Sequence, residues 1–491
     1  MTQWHYNSAR STAAALASGE LSSAHLTQTL LDRIKALNGP LNAVVAIADD
    51  AMDQARAADQ ALADGRSLGP LHGLPITIKD VWEVTGMACT AGAPALKDYR
   101  PKRHADTIQR LVDAGAIIMG KTNVPLYASD TQTYNKVYGI SHNPYDTSRT
   151  PGGSSGGGAA ALAAGFTHLE LGSDVGGSIR TPAHFCGIYG HKPSRGIVSL
   201  RGHIPGPVGT LSQPDLAVGG PMARSADDLA FLLEIIAAAP THEGPHWQVV
   251  LPPCRLTALS QVRVATRFSD PLTPIEDELG EQYQTLAGAL EAAGATVSHC
   301  QSPLINHEGI LPLYYNLLGT LLGSGFKAKQ RRQMRWVERS MKIFGRWIKA
   351  THGIDQYAAG VNQSFLQWVS HHEQREQLRA AVVRKVFADA DVLLTPVAPT
   401  TAIPHDHSMP MFKRHISVNG NPRPYTDKMN WIALATVLGL PATSAPIGKD
   451  RHGLPINVQI IGAPGMDLTT IGVAQLMEQA GLSRFTAPEG F

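Results

Sequence analysis

The sequence predicts an α/β fold in which one sheet is covered by helices on both faces. Short apolar runs alternate with segments of helical spacing along the chain. The length of 491 residues gives room for one large α/β body or about three domains. A composition of 43% apolar and 17% charged residues excludes a disordered chain.

The first element is a helix, because Leu26, Leu30, Ile34 and Leu37 recur at helical spacing, Ser22 or Ser23 can cap it, and Gly39-Pro40 ends it. Strand-like runs follow at 43–47, 74–78, 117–119, 169–171, 262–265, 392–394 and 458–461. No fixed-period repeat interrupts them. Between 325 and 390 the pattern becomes charged and helix-rich, as expected for a lid or a helical insert within the body. Residues 327–349 hold nine cations (Lys327, Lys329, Arg331, Arg332, Arg335, Arg339, Lys342, Arg346, Lys349) against Glu338, locally +8. Trp336, Phe344, Trp347 and Ile348 interleave with them. Such a stretch would suit a binding module for nucleic acid or anionic membrane. The commoner arrangement is a solvated charged face with the aromatic side packed on the body, and that is the expectation here.

The net charge of +2 argues against a general polyanion-seeking surface, and no nucleic-acid partner is expected. Cys89, Cys186, Cys254 and Cys300 are too few and scattered for a disulfide framework, and none forms a C-x-x-C pair, so a reducing compartment fits. Residues 1–11 lack the apolar core of a signal peptide. The apolar stretch 431–446 is broken by Thr436, Gly439, Pro441, Thr443 and Ser444, so no membrane span is expected. A cytoplasmic protein, monomeric or homodimeric, is the resulting expectation.

Several motifs compete. Gly115 to Thr122 matches the G-x-x-x-x-G-K-[ST] phosphate loop literally. Its four inner residues, 116–119, are apolar and read as the strand itself, so the order is helix, strand, turn, the reverse of a phosphate loop. Gly152-Gly-Ser154-Ser155-Gly-Gly157 satisfies a G-x-S-x-G nucleophile elbow in two registers, but the approach from Asn143 to Pro151 has loop composition where an elbow needs a strand. A glycine turn leading into a tightly packed helix explains the run better.

In Leu169 to Arg180 an apolar stretch ends in Gly176-Gly177 and Ser178 follows at once. Glycines there can turn consecutive N–H groups toward one point, as acyl transfer requires, which makes Ser178 a candidate nucleophile beside its own oxyanion hole. Lys79 ends the apolar run 74–78. A lysine so placed is either a structural ion pair or a base whose charge burial disfavours. Bringing it from about 10.4 to about 7.5 takes around 4 kcal/mol at 1.36 per unit, which burial can supply. His405-Asp-His407 and His371-His372-Glu373 lack the spacing of a metalloprotease site, so no metal is expected.

Taken jointly, Lys79, the Gly-Gly-Ser-Ser-Gly-Gly run and Asp174-Val-Gly-Gly-Ser-Ile-Arg180 resemble the amidase signature family of serine hydrolases. The likeness is strongest from about 69 to 195, where it also accounts for Gly120-Lys-Thr-Asn123, and it returns at 439–442 and 453–462. The resemblance implies a single domain over 1–491 with a mixed central sheet, no cofactor, and a Ser-cisSer-Lys triad. In that triad Ser178 matches the nucleophile, Ser154 the bridging serine on a cis peptide and Lys79 the base. It implies an oxyanion hole of amides from Val175, Gly176, Gly177 and Ser178. It also implies a small-molecule amide or carbamate substrate bordered by Leu126, Tyr127, Ser129 and Tyr134, with Tyr138 nearby. Val175, His191 and Leu126 stand where relatives commonly carry threonine, leucine and an acid, departures that leave the triad intact. The expected activity is hydrolysis of small or aryl amides through an acyl-enzyme on Ser178. The alternatives are a carbamate, urethane or ester hydrolase, or the glutaminase subunit of a tRNA-dependent amidotransferase.

Overall fold

The seven apolar runs all become strands, and all seven share one sheet. The computed structural model describes residues 4–244, 246–344 and 353–491. Its strands are β1 (Val44–Ile47), β2 (Pro75–Lys79), β3 (Ile117–Thr122), β4 (Tyr134–Asn135), β5 (Gly139–Ile140), β6 (Leu169–Asp174), β7 (Tyr189–Lys192) and β8 (Val218–Ala223). They continue with β9 (Arg263–Thr266), β10 (Thr296–His299), β11 (Val392–Pro396), β12 (His415–Val418), β13 (Asn421–Pro424), β14 (Ala442–Lys449) and β15 (Pro455–Ile461). Eleven of them form a sheet in the order β1-β3-β2-β6-β8-β7-β14-β15-β11-β9-β10. Parallel pairs (β2 with β3 and β6, β9 with β10 and β11) occur beside antiparallel ones, so the sheet is mixed and one helix-flanked domain surrounds it.

The first helix of the expected set runs Ser23–Leu37 with Ser22 accepting the N–H of His25, one of the two caps expected. Gly120-Lys121-Thr122 lies inside β3, where buried Lys121 bonds the carbonyl of Trp82 at 2.6 Å and faces Asp80 at 3.5 Å. It is a strand, with no phosphate-loop turn. The region 325–390 carries the helices Ala328–Phe344, Ile354–Asn362 and Phe365–Lys385. Ile354–Asn362 packs on His307–Gly323 so closely that a β-carbon on Gly360 would overlap the backbone of Asn316. Trp336 is not packed on the body as the sequence predicts: it is 70% exposed, while Met334, Val337 and Met341 are half-buried. The side chains of Lys342 and Phe344, and residues 346–349, lie outside the described residues. Among the described residues no helix is long and apolar enough to cross a membrane.

The helix Gly156–Ala163 is buried on every side, which explains its glycine and alanine composition. A β-carbon on Gly157 would overlap the backbone of Asn123, and one on Gly158 would lie 2.6 Å from Cγ of Glu170. Gly157→Ala is expected to lower the urea midpoint by about 1–3 kcal/mol of stability. Gly288→Ala, in the helix Asp277–Ala292 with open space at its β position, is expected to raise it by up to about 1 kcal/mol. Equal midpoints for the two variants would show that helix propensity, and not close packing, governs both sites.

Candidate active site

Lys79 closes a strand whose five residues are all buried, and the parallel register of β2 and β6 (Thr77 beside Glu170, Ile78 beside Leu171) carries it to the same sheet edge as Ser173 and Asp174. Its side-chain nitrogen donates to Ser154 Oγ at 2.8 Å and to Ser173 Oγ at 3.0 Å, and the carbonyl of Ser173 lies at 3.4 Å. Burial lowers the Lys79 pKa to about 7, against the opposing pull of Asp174 and Glu170. At neutral pH a large fraction of this amine is therefore uncharged.

Ser154 arrives on a cis peptide with Gly153. Gly153 has no room for a side chain, since a β-carbon would sit 2.8 Å from the carbonyl oxygen of Asp130 and the amide of Gln132. Ser155 is the first residue before the buried helix, and its hydroxyl turns to the carbonyl of Ser173 at 3.4 Å. No strand leads into it, so the nucleophile-elbow geometry is not formed. The N–H of Ser155 donates to the carbonyl of Ser178 at 3.2 Å, which ties the 178 turn to the 154 turn. Ser178 itself is 9% exposed, the least covered of the three.

Asp174 organises the loop that presents Ser178. Its carboxylate accepts the amides of Gly177 at 2.9 Å and Ile179 at 3.0 Å, and the guanidinium of Arg180 at 2.8 and 3.1 Å. Burial alone would raise this carboxyl, but the Arg180 charge and these donors overcome it and hold the pKa at about 2. The arrangement corrects one expectation: the Gly177 amide, placed by sequence in the oxyanion hole, is already committed to Asp174. A carboxylate fixed by arginine is simply the stronger local acceptor. The amides of Val175, Gly176 and Ser178 donate to no acceptor among the described residues. Gly177, at φ +89°, needs glycine for this bend.

The residues expected to border the substrate lie along one stretch whose Asp130 and Gln132 back onto Gly153. Leu126 and Tyr127 sit on an exposed short turn, Ser129 accounts for its own hydroxyl by donating to the Leu126 carbonyl at 2.7 Å, and the Tyr134 hydroxyl donates to Asp130 at 3.0 Å. Tyr134 belongs to a polar cluster with Arg414 and Tyr425 that converges on Asp130. The Tyr138 phenol is raised to about 12, first by burial and then by Asp80.

Three residues beside the site carry no motif. Ser173 supplies the second hydroxyl to Lys79, and only the pairing of β2 with β6 brings it there. Glu170, held by the hydroxyls of Thr77 and Thr122, is raised to about 7 by burial. Tyr314, fully buried with no partner for its hydroxyl among the described residues, lies with Met429 against Gly176, where a β-carbon would be 3.4 Å from the phenol oxygen and 3.2 Å from the sulfur. Tyr314 and Met429 come from far downstream, where only the folded chain can place them.

A mixed-sheet α/β domain with a desolvated lysine, two serine turns tied together and glycine amides at a loop tip has the makings of one class, the serine-type acyl-transfer hydrolases. The family model described as Amidase matches residues 25–471, and the chain belongs to this amidase signature family. It is 32% identical to a glutamyl-tRNA(Gln) amidotransferase component of Chloroflexus aurantiacus over 98% of this chain and 97% of that one. Among solved structures, it resembles an amidase at 28% identity and TM-score 0.76, covering 96% of this chain and 99% of the other. It resembles the peptide amidase of Stenotrophomonas maltophilia at 27% and 0.76, with 99% of each chain covered.

Proposed function

We propose that the protein is a serine amidohydrolase using Lys79, Ser154 and Ser178. Neutral Lys79 accepts the proton of Ser154 as Ser154 accepts that of Ser178, and Ser178 Oγ attacks the amide carbonyl. Amides of Val175, Gly176 and Ser178 hold the oxyanion. The relay returns the proton to the leaving amine, the C–N bond breaks, and water then hydrolyses the acyl-serine. The observation that carries this reading is the 2.8 Å hydrogen bond between a buried lysine and Ser154.

The sign of the pH dependence follows from the base role. Below its pKa of about 7 Lys79 is an ammonium with no lone pair, so kcat/KM is expected to rise through an ionisation near 7 and then level off. A profile flat across neutral pH would remove Lys79 from the base role.

For the substrate, the buried side chains of Tyr314 and Ile432, with Met429 beside them against Gly176 and Gly177, favour a small amide with an apolar or aryl acyl group. Carbamates and esters suit the same machinery. A second reading has the stronger support from curated relatives: the glutaminase component of a glutamyl-tRNA(Gln) amidotransferase, releasing ammonia from glutamine and working with partner proteins. A hydrolysis panel of glutamine, anilides, primary amides, dipeptide amides, carbamates and esters separates them. Turnover of glutamine alone, in a chain that copurifies with stable partners, establishes the second reading. Turnover of anilides by the isolated chain establishes the first.

A further inference from the structure

The helix Ala328–Phe344 and the start of Phe365–Lys385 form one surface. Asn362, at the end of Ile354–Asn362, joins them by donating to the carbonyl of Arg331 at 3.1 Å and accepting from Arg335 Nε at 3.3 Å. Arg331 faces inward and bonds the carbonyls of Gly323, Phe326 and Val361 at 3.0–3.3 Å, which fastens the helix to the body. The outer face is left to other residues. Trp336 and Ile343 lie two turns apart on one stripe, 70% and 68% exposed, with Arg332 and Arg339 beside them at i−4 and i+3 of the tryptophan. Two residues beyond Asn362, Ser364 caps the next helix through a reciprocal bond with Gln367 and holds Phe365 and Leu366 outward at 78% exposure each.

We infer that this surface docks on an anionic lipid bilayer. Exposed large apolar side chains are tolerated singly, but here two lie on one helix among exposed Lys327, Lys329, Arg332, Arg335 and Arg339, and two more follow three and four residues after Asn362, which bonds that helix. Tryptophan and phenylalanine with aliphatic neighbours suit the boundary between headgroups and acyl chains, and the guanidinium groups meet lipid phosphates at the same depth. Charge complementarity selects the occupant. Ile343 and Leu366 offer nothing to base edges or to a sugar-phosphate backbone, which argues against nucleic acid.

The test is cosedimentation of the full chain with vesicles of phosphatidylcholine alone and of phosphatidylcholine mixed with phosphatidylglycerol. Binding to the anionic vesicles, weakened by salt and accompanied by a blue shift of tryptophan emission, is expected. Arg332→Glu/Arg339→Glu and, separately, Phe365→Ser/Leu366→Ser are expected to weaken it at least about tenfold while leaving the melting temperature unchanged. Failure to bind anionic vesicles overturns the proposal, as does undiminished binding by both variants. Retention of RNA by a chain indifferent to vesicles would reassign the surface to nucleic acid. A dimer in solution that either variant dissociates would reassign it to a second copy of this chain. None of these outcomes depends on the hydrolytic reading.

Discussion

Ser178→Ala is expected to lower kcat/KM by a factor on the order of 10⁴–10⁶ while leaving the fold and melting temperature intact. The substitution removes one oxygen at the best exposed of the three site residues, and the amides of Val175 and Gly176 keep their places because Asp174 and Arg180 hold the loop. Substrate can therefore still bind and be polarised. On the proposed mechanism, whatever activity survives measures what the amides of Val175 and Gly176 contribute without a nucleophile. Retention of more than a few per cent would take Ser178 out of the nucleophile role. A fluorophosphonate should label Ser178 in the native chain, and an adduct on Ser155 would bring back the nucleophile-elbow reading.

Lys79→Met is expected to cost about 10²–10⁴ in kcat/KM and to abolish the rise through pH 7. Methionine fills much of the space but accepts no proton. A stability measurement tests the same group independently of turnover. In the unfolded chain lysine keeps its ordinary value of 10.5, and in the folded protein Lys79 titrates at about 7. Between these values the unfolded state binds the extra proton, so stability rises with pH across this window, by roughly 4–5 kcal/mol over its full width. The Met variant should lack this contribution. The difference between the two stability curves isolates Lys79 from the other buried lysines, and parallel curves would mean that its pKa is not lowered by burial.

The fold is legible where strands carry branched apolar residues and obscure where they do not. Runs such as Ile76-Thr-Ile78 and Val458-Gln-Ile-Ile461 announce themselves by composition. By contrast β7 reads Tyr-Gly-His-Lys, β8 contains Gly219-Gly220-Pro221, and β14 contains Thr443-Ser444 and Pro446. These lie together in the middle of the sheet, where small side chains let neighbours approach: a β-carbon on Gly220 would overlap the carbonyl of His191. Ladder pairing overrides propensity there. Strand β10 is hidden for another reason, being a largely exposed edge strand with little hydrophobic patterning.

At the site, Lys79, Ser154 and Ser178 can be picked out in the sequence by the resemblance their motifs carry, and the structure places Lys79 against Ser154 and ties the turns of Ser154 and Ser178 together. The commitment of Gly177 to Asp174 is not, since it depends on which way one amide points. Ser173 needs the register of two strands. Tyr314, Met429 and Arg414 need the complete fold, because no local spacing links them to the serines. The exposure of Trp336 and Ile343 on the basic helix escapes sequence reasoning because a periodic pattern shows that a helix has two faces without showing which one the body covers.

Arg180 bears on how the protein is made. Besides Asp174, its guanidinium reaches the carbonyl of Ile432, the hydroxyl of Thr436 and the side chain of Gln459. These partners are translated long after Ser178 has left the ribosome. Until β15 is synthesised and inserted between β14 and β11, the arginine lacks its bond to Gln459, although Asp174 already lies beside it. The bracing of the loop that carries Ser178 is thus completed only when the last strand arrives.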